Sequence, residues 1–441
     1  MELYCKILAL PSLHNKQSSL FLFDNMKGLK TICTIIILGF GHFYALSQSY
    51  LLEIGKKDSL YSEILQEKRS IWIKYPNYFN QESNKEYPVV YILDGETQLR
   101  ALDAVCTYYE GHFLPDMILV GISNADNRMR DLTTSEMKMR YGWPVNEETG
   151  GADSFTKFLE SELIPYIDSI LPTTNYRTLI GHSFGGLFTI NTLINNGHLF
   201  SNYIAIDPSL DWDNQKLLHH SRIRLQTTDF DKKSLFVSLS AASLHMQDES
   251  VTMENLMRDT SEYTLFARSV VEFSQFAEAQ ENNGLRFFWK YYLNDIHGTV
   301  SLPTIRDGLI SIFEWYQLES FWKFNDFNTP TEELMRLVRD REKKLNDNFG
   351  YKLPPFEEEL FDMMGYMSLE SGQSEKAMAF FKMAIEYYPG SANAYESMAD
   401  FYLSQNEKEK ALTNLRKAYD ISGSDDYLIQ IENIEKGNLR H

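Results

Sequence analysis

Nine residues, Thr178-Leu179-Ile180-Gly181-His182-Ser183-Phe184-Gly185-Gly186, restrict what this chain can fold into more than any other stretch. An apolar run that reads as a buried strand passes through G-x-S-x-G and enters a segment of helical period that reaches residue 193. A serine at so sharp a turn sits in strained backbone, and side chains two residues to either side would strike the adjoining strand and helix, so both positions require glycine. Such a turn displays the serine hydroxyl at the carboxyl edge of a central strand, the nucleophile-elbow arrangement.

The surrounding pattern is that of a sheet protein of the α/β class. Strands rich in Val, Ile, Tyr and Phe are expected at 70–75, 88–93, 117–122, 177–180, 203–206, 235–239 and 286–293, several of them continuous apolar runs suited to burial on both faces. Phe155, Phe158, Leu159, Ile164, Ile167 and Leu171 recur at three- and four-residue steps, predicting a helix capped by Asp153 or Ser154 and kinked at Pro165. Further helices are expected at 184–193, 264–280 and 304–316. The fold expected is therefore a mostly parallel sheet with helices on both faces.

From residue 357 the strand pattern stops and a 34-residue self-similarity takes over, pairing Gly365 with Ala399, Ala377 with Ala411, Phe381 with Leu415 and Ala384 with Ala418. The spacing resembles tetratricopeptide repeats, in which small residues let antiparallel helices cross closely. Two units are short for a free-standing solenoid, so docking on the preceding domain or on a protein partner is expected. The organisation read from the sequence is a leader at 1–47, a sheet domain at 48–322, a linker helix at 323–356 and a small all-α repeat tail at 357–441.

A serine hydroxyl is a weak nucleophile at neutral pH and needs a base within hydrogen-bond reach. His297 follows the last expected strand in Asn294-Asp295-Ile296-His297-Gly298-Thr299-Val300, where a loop at the carboxyl edge of the sheet can hang over the elbow. The other histidines lack that position: His182 supports the elbow from within, His219 and His220 adjoin on a polar stretch, and none stands at a metal-ligand spacing such as H-E-x-x-H. Donors for a tetrahedral oxyanion are expected from the backbone N–H of Phe184 and from that of Glu96, which follows the turn Leu93-Asp94-Gly95.

Leu93-Asp94-Gly95, Gly181-His182-Ser183-Phe184-Gly185-Gly186, Asp207-Pro208-Ser209-Leu210 and His297-Gly298-Thr299-Val300 occur in order across about residues 50–316. In these marks the chain resembles the putative esterase family that includes siderophore esterases, esterase D and the mycolyl transferases. The resemblance implies an α/β-hydrolase fold and hydrolysis of carboxylic esters through an acyl-serine intermediate, with no metal or organic cofactor. Members often carry a glycine and an acidic residue after the strand equivalent to 235–239, where this chain has Ser240-Ala241-Ala242-Ser243. The acid that orients His297 is sought between Ser183 and His297, among Asp248, Glu249, Asp259 and Glu262; Asp259 is favoured because it lies just ahead of a helix, and a dyad without an acid stays open. Asp211 stands where relatives often have an aromatic residue lining the acyl pocket, and the plain expectation for it is a solvated loop position. Arg128, Arg130, Arg140, Tyr141 and Trp143 suit either contact with an anionic or aromatic substrate or a solvated lid.

With 42 basic and 61 acidic residues the formal charge is −19, which argues against nucleic acid and anionic membranes as partners. Lys27 and Lys30, the apolar stretch 32–44 and Ala45-Leu46-Ser47 make Met26 to Ser47 a secretory signal peptide, its apolar core shorter than the roughly 20 residues of a spanning helix. Translation is expected to begin at Met26, cleavage to fall before Gln48, and only Cys106 to remain in the mature chain. The expectation is an exported serine esterase for a small or medium ester, such as a siderophore ester or an acylated sugar, periplasmic or secreted, without stable membrane insertion. An inert hydrolase-fold scaffold whose tail holds a protein, and an acyltransferase using the same residues, are the alternatives.

Overall fold

The computed structural model describes residues 54–77, 79, 85–244, 250–280 and 282–437. The signal segment, Asp248 and Glu249 lie outside the described residues. The chain opens with the strands β1 (Lys56–Ser62), β2 (Glu67–Lys74) and β3 (Tyr87–Ile92), then helix α1 (Gly95–Tyr109), β4 (Ile118–Ile122) and the short α2 (Arg128–Leu132). A small hairpin, β5 (Met139–Arg140) and β6 (Trp143–Pro144), leads to α3 (Ala152–Phe158) and α4 (Ile164–Ile170). Then come β7 (Thr173–His182), α5 (Phe184–Asn196), β8 (Asn202–Ile206), α6 (Trp212–Thr227), β9 (Ser234–Ser240), α7 (Leu265–Glu278), β10 (Arg286–Tyr292) and α8 (Ser301–Ile312).

Eight strands form one sheet in the order β1-β2-β4-β3-β7-β8-β9-β10. The pairs β1–β2 and β2–β4 are antiparallel and all others are parallel. Every residue of β3, β4, β8 and β9 is buried, and apart from Asn202, whose amide donates to Thr178 Oγ1, those segments are apolar or carry hydroxyl side chains. After β3 the chain runs outward to β4 on one side, whereas β7 pairs on the other side; the carboxyl ends of β3 and β7 therefore flank a topological switch point, where a crevice opens.

All seven strands expected from the sequence have counterparts. The edge strand β1 gave no apolar run because most of it is exposed or half-buried. The helix expected after an Asp153 or Ser154 cap begins instead at Ala152, after Gly151, and Asp153 and Ser154 lie in its first turn. A widened π-turn at Leu159–Leu163 separates α3 from α4 and takes up the register at Pro165, which has no N–H to give to a regular helix.

After residue 313 the described chain is all helical: α9 (Trp322–Asn325), α10 (Thr331–Phe349), α11 (Glu358–Glu370), α12 (Ser374–Tyr387), α13 (Ala392–Ser404), α14 (Lys408–Ser422) and α15 (Asp425–Glu435). Close crossing explains the small residues: a Cβ on Gly365 would lie 2.4 Å from the Phe381 ring, and Ala377, Ala384, Ala399, Ala411 and Ala418 are fully buried. No helix among the described residues is long and apolar enough to cross a membrane.

The helical segment between residues 323 and 356 packs on the sheet domain through α10. The Phe349 ring meets those of Tyr176 and Trp315 edge-on, each at 4.9 Å. Arg341 donates to the backbone oxygens of Tyr316 at 2.7 Å and Pro355 at 2.8 Å while lying over the Tyr316 ring. Phe349→Ala should lower the unfolding free energy by about 3 kcal/mol, the usual loss for a buried aromatic truncated to alanine, read from denaturant titration.

Candidate active site

Five neighbouring strands deliver the polar groups to one edge of the sheet: Asp94–Glu96 follows β3, Ser183 follows β7, Asp207–Ser209 follows β8, Ser240 ends β9, and His297 lies on the loop after β10. Ser183 has φ 60° and ψ −111°, between the end of β7 and the first residue of α5. The turn is held by the Ser183 N–H on Ile206 O at 2.9 Å and by Ser209 N–H on Ser183 O at 3.1 Å. A Cβ on Gly181 would fall 2.2 Å from Gly185 O, and one on Gly186 would fall 2.9 Å from Pro208 Cα, so the helix enters this close to the strands only with glycine at both places.

The amides expected to serve an oxyanion lie at two helix starts. Phe184 is the first residue of α5 and Glu96 the second of α1. The N–H groups of Thr97 and Gln98 turn back to Asp94 O, so the amides ahead of them occupy the open first turn, where backbone donors lack partners within the helix. Asp94, left-handed at φ 53° and buried, is gripped by Arg128 through Nε at 2.8 Å and Nη2 at 2.9 Å. The same Nη2 donates to His182 O at 3.0 Å.

His297 Nδ1 lies 2.9 Å from Asp207 Oδ2. An ionised carboxylate only accepts, so the proton sits on Nδ1 and Nε2 presents a bare lone pair, the tautomer a general base requires. Asp207 has no solvent exposure. Its charge is met by Ser240 N–H and Ser240 Oγ, both at 2.6 Å, and by Ser243 Oγ at 3.2 Å. The Ser183 hydroxyl is 3.3 Å from Ser209 Oγ. The His297 ring packs against His182, with centroids 4.4 Å apart, and meets Phe266 edge-on at 5.6 Å.

The carboxylate on the histidine is thus Asp207 and not Asp259. Asp259 Oδ1 accepts from the Ser261 N–H at 2.6 Å and Thr264 Oγ1 at 3.2 Å, fastening the turn ahead of α7. Glu262 is exposed in the next short turn, and Asp295 accepts from Thr299 Oγ1 at 2.9 Å. Asp207 follows β8, one strand ahead of the segment after β9 that holds the carboxylates expected from the sequence. The signal was present in Asp207-Pro208-Ser209-Leu210, and Ser240 and Ser243 turn their hydroxyls to Asp207.

Asp211 departs from the solvated position expected of it. Its side chain is 1% exposed, and Oδ2 takes Arg140 Nη2 and the Tyr141 hydroxyl, both at 2.6 Å. Arg140 spreads over the rings of Phe184 at 5.1 Å and Trp212 at 5.5 Å, bringing the β5–β6 hairpin down beside the elbow. Arg130 is committed elsewhere, to Glu67 and Asp131, whereas the Trp143 side chain is 76% exposed.

Burial, reinforced by the neighbouring His297, holds His182 down to about 4 from its ordinary 6.5. The unfolded chain takes up that proton below pH 6.5 while the folded one resists it, so stability is full above 6.5 and falls as the pH drops towards 4. This one group should remove about 3 kcal/mol across the window, and His182→Gln should show a shallower loss between the same pH values in denaturant titrations.

The model of the family described as "Putative esterase" matches residues 62–283, half of the chain. The ferri-bacillibactin esterase BesA of Bacillus subtilis is 28% identical over 187 residues, 38% of this chain and 64% of that protein. The siderophore triacetylfusarinine C esterase of Aspergillus fumigatus is 29% identical over 171 residues, 36% of this chain and 56% of that protein. The chain therefore spans less than two thirds of the length of these curated relatives. Among solved structures, an IroE-like serine hydrolase from Shewanella oneidensis is 29% identical with a TM-score of 0.61, over 75% of this chain and 99% of that one. An uncharacterised protein from Capnocytophaga ochracea, 17% identical with a TM-score of 0.54 over 86% of this chain and 99% of its own, shares the fold.

Proposed function

The chain belongs to the putative esterase family, and from that membership and the geometry at the sheet edge we propose that it is a serine carboxylic-ester hydrolase working through an acyl-serine intermediate. The observation that carries the proposal is the Asp207–His297 pair, which leaves a lone pair on Nε2 in the loop beside a strained Ser183 turn. Ser183 Oγ attacks the ester carbonyl as its proton passes to His297 Nε2. The carbonyl electrons move onto oxygen, where the amides of Phe184 and Glu96 stabilise the charge. The tetrahedral intermediate collapses, the alcohol leaves with the proton from Nε2, and a water activated by the same nitrogen releases the acid and regenerates Ser183. Asp207 holds the ring and stabilises the imidazolium formed in each half-reaction.

A small or medium ester is the substrate class, a siderophore ester or an acylated sugar; the names of the siderophore-esterase relatives support the first. The charged leader Met26–Ser47 supports action outside the cytoplasm, periplasmic or secreted. We assign residues 48–322 to the hydrolase, 323–356 to a linker and 357–441 to tetratricopeptide-like repeats available to a protein partner, on the 34-residue recurrence.

A fluorophosphonate probe should label the wild-type protein, and labelling should vanish in Ser183→Ala and His297→Ala, read by intact mass; a folded wild type that does not label would overturn the proposal. On p-nitrophenyl butyrate, Asp207→Asn should lose about 10³-fold or more in kcat, whereas Asp259→Asn keeps the wild-type rate; the reverse order would return the acid to Asp259.

A further inference from the structure

The loop that carries His297 has little of its own to hold it. Leu293 and Ile296 are exposed, and a Cβ on Gly298 would meet nothing. The bonds of Thr299 to Ile296 and Asp295 stay inside the loop, and the backbone bond from Ala242 N–H to Asp295 O is stretched to 3.5 Å. The short bond between the loop's main chain and the sheet comes from His182, whose Nε2 lies 2.8 Å from His297 O. A carbonyl oxygen only accepts, so His182 carries its proton on Nε2.

We propose that His182 is a positioning residue that pins the His297 main chain to the nucleophile strand, so that the ring is fixed at two points, its carbonyl by His182 and its Nδ1 by Asp207. The inference rests on the serine-esterase reading above. His182 is covalently joined to Ser183, and its own carbonyl is held by Arg128, which grips Asp94 at the head of the oxyanion turn. One residue thereby ties together the loops that bring nucleophile, base and oxyanion donors. With the loop loose, the Asp207 contact alone leaves the ring free to swing about Nδ1 and carry Nε2 off the line to the serine.

The groups facing the His182 ring fit a donor that is neutral at neutral pH. The His297 ring packs beside it at a tilt of 42°, Arg128 lies at its carbonyl, and the carboxylate of Asp207 is directed to His297. Burial first and His297 second hold His182 in the uncharged form, so it keeps a single donating proton while His297 alternates between imidazole and imidazolium.

The test uses two amide substitutions that differ in reach. The side-chain nitrogen of Gln falls where Nε2 lies and can donate to His297 O; that of Asn falls at the Nδ1 position and cannot. On p-nitrophenyl butyrate, His182→Asn should lose on the order of 10- to 100-fold in kcat with KM little changed, the scale of a displaced catalytic group, and His182→Gln should recover most of it. Fluorophosphonate labelling should slow in the same order, with both variants melting cooperatively. Asn at the wild-type rate, or Asn and Gln equally impaired, would overturn the assignment while an inert Ser183→Ala upholds the esterase reading. An active Ser183→Ala would overturn that reading and this one with it.

Discussion

A carboxylate removed from water is tolerable only when donors meet its charge, because an unmet one costs several kcal/mol. Asp207, with no exposure, accepts from a backbone amide, two serine hydroxyls and an imidazole. Those donors come from the end of β9, the turn beyond it and the loop after β10, so the demand of one side chain registers three strand ends against one another. The segment that bears Asp207 continues to Ser209, whose N–H holds Ser183 O and whose hydroxyl faces the Ser183 hydroxyl. His297 and Ser183 are thus both held by the short stretch from Ile206 to Ser209 at the end of β8.

The strain at Ser183 has the same support. A residue held at φ 60° and ψ −111° stores about 1–3 kcal/mol, and it persists only where its surroundings over-determine it. The bonds to Ile206 and Ser209 tie the turn to β8, and the missing Cβ atoms at Gly181 and Gly186 let α5 approach the strands. The glycines are consequences of layer packing, which is why the motif can be read from five letters while the partners of the serine cannot.

What the sequence disclosed follows that division. Buried strands, the elbow and the position of His297 were legible because each is a local pattern: an apolar run, a glycine spacing, a loop after the last strand. Asp207 was hidden by its distance of 90 positions from His297 and by its place after β8, one strand ahead of the segment following β9. Its signal was indirect, since Ser240 and Ser243 make sense only once the carboxylate they serve is known. Edge strand β1 and the β5–β6 hairpin were missed for a different reason: largely exposed segments have no apolar periodicity to read.

Asp211, 71 positions from Arg140, is the anchor that draws β5–β6 onto the elbow. Asp211 is buried and its charge is met by one guanidinium and one phenol, so removing either hairpin partner leaves a buried charge short of a donor. Tyr141 accepts a left-handed φ of 50° in the turn before Gly142, strain that the bond to Asp211 offsets. Asp211 brings aromatic and cationic surface from elsewhere in the chain: the Arg140 plane over Phe184 and Trp212, with Tyr141 beside it. The surface beside Phe184 is therefore built by a long-range ion pair, and its shape depends on both partners at once.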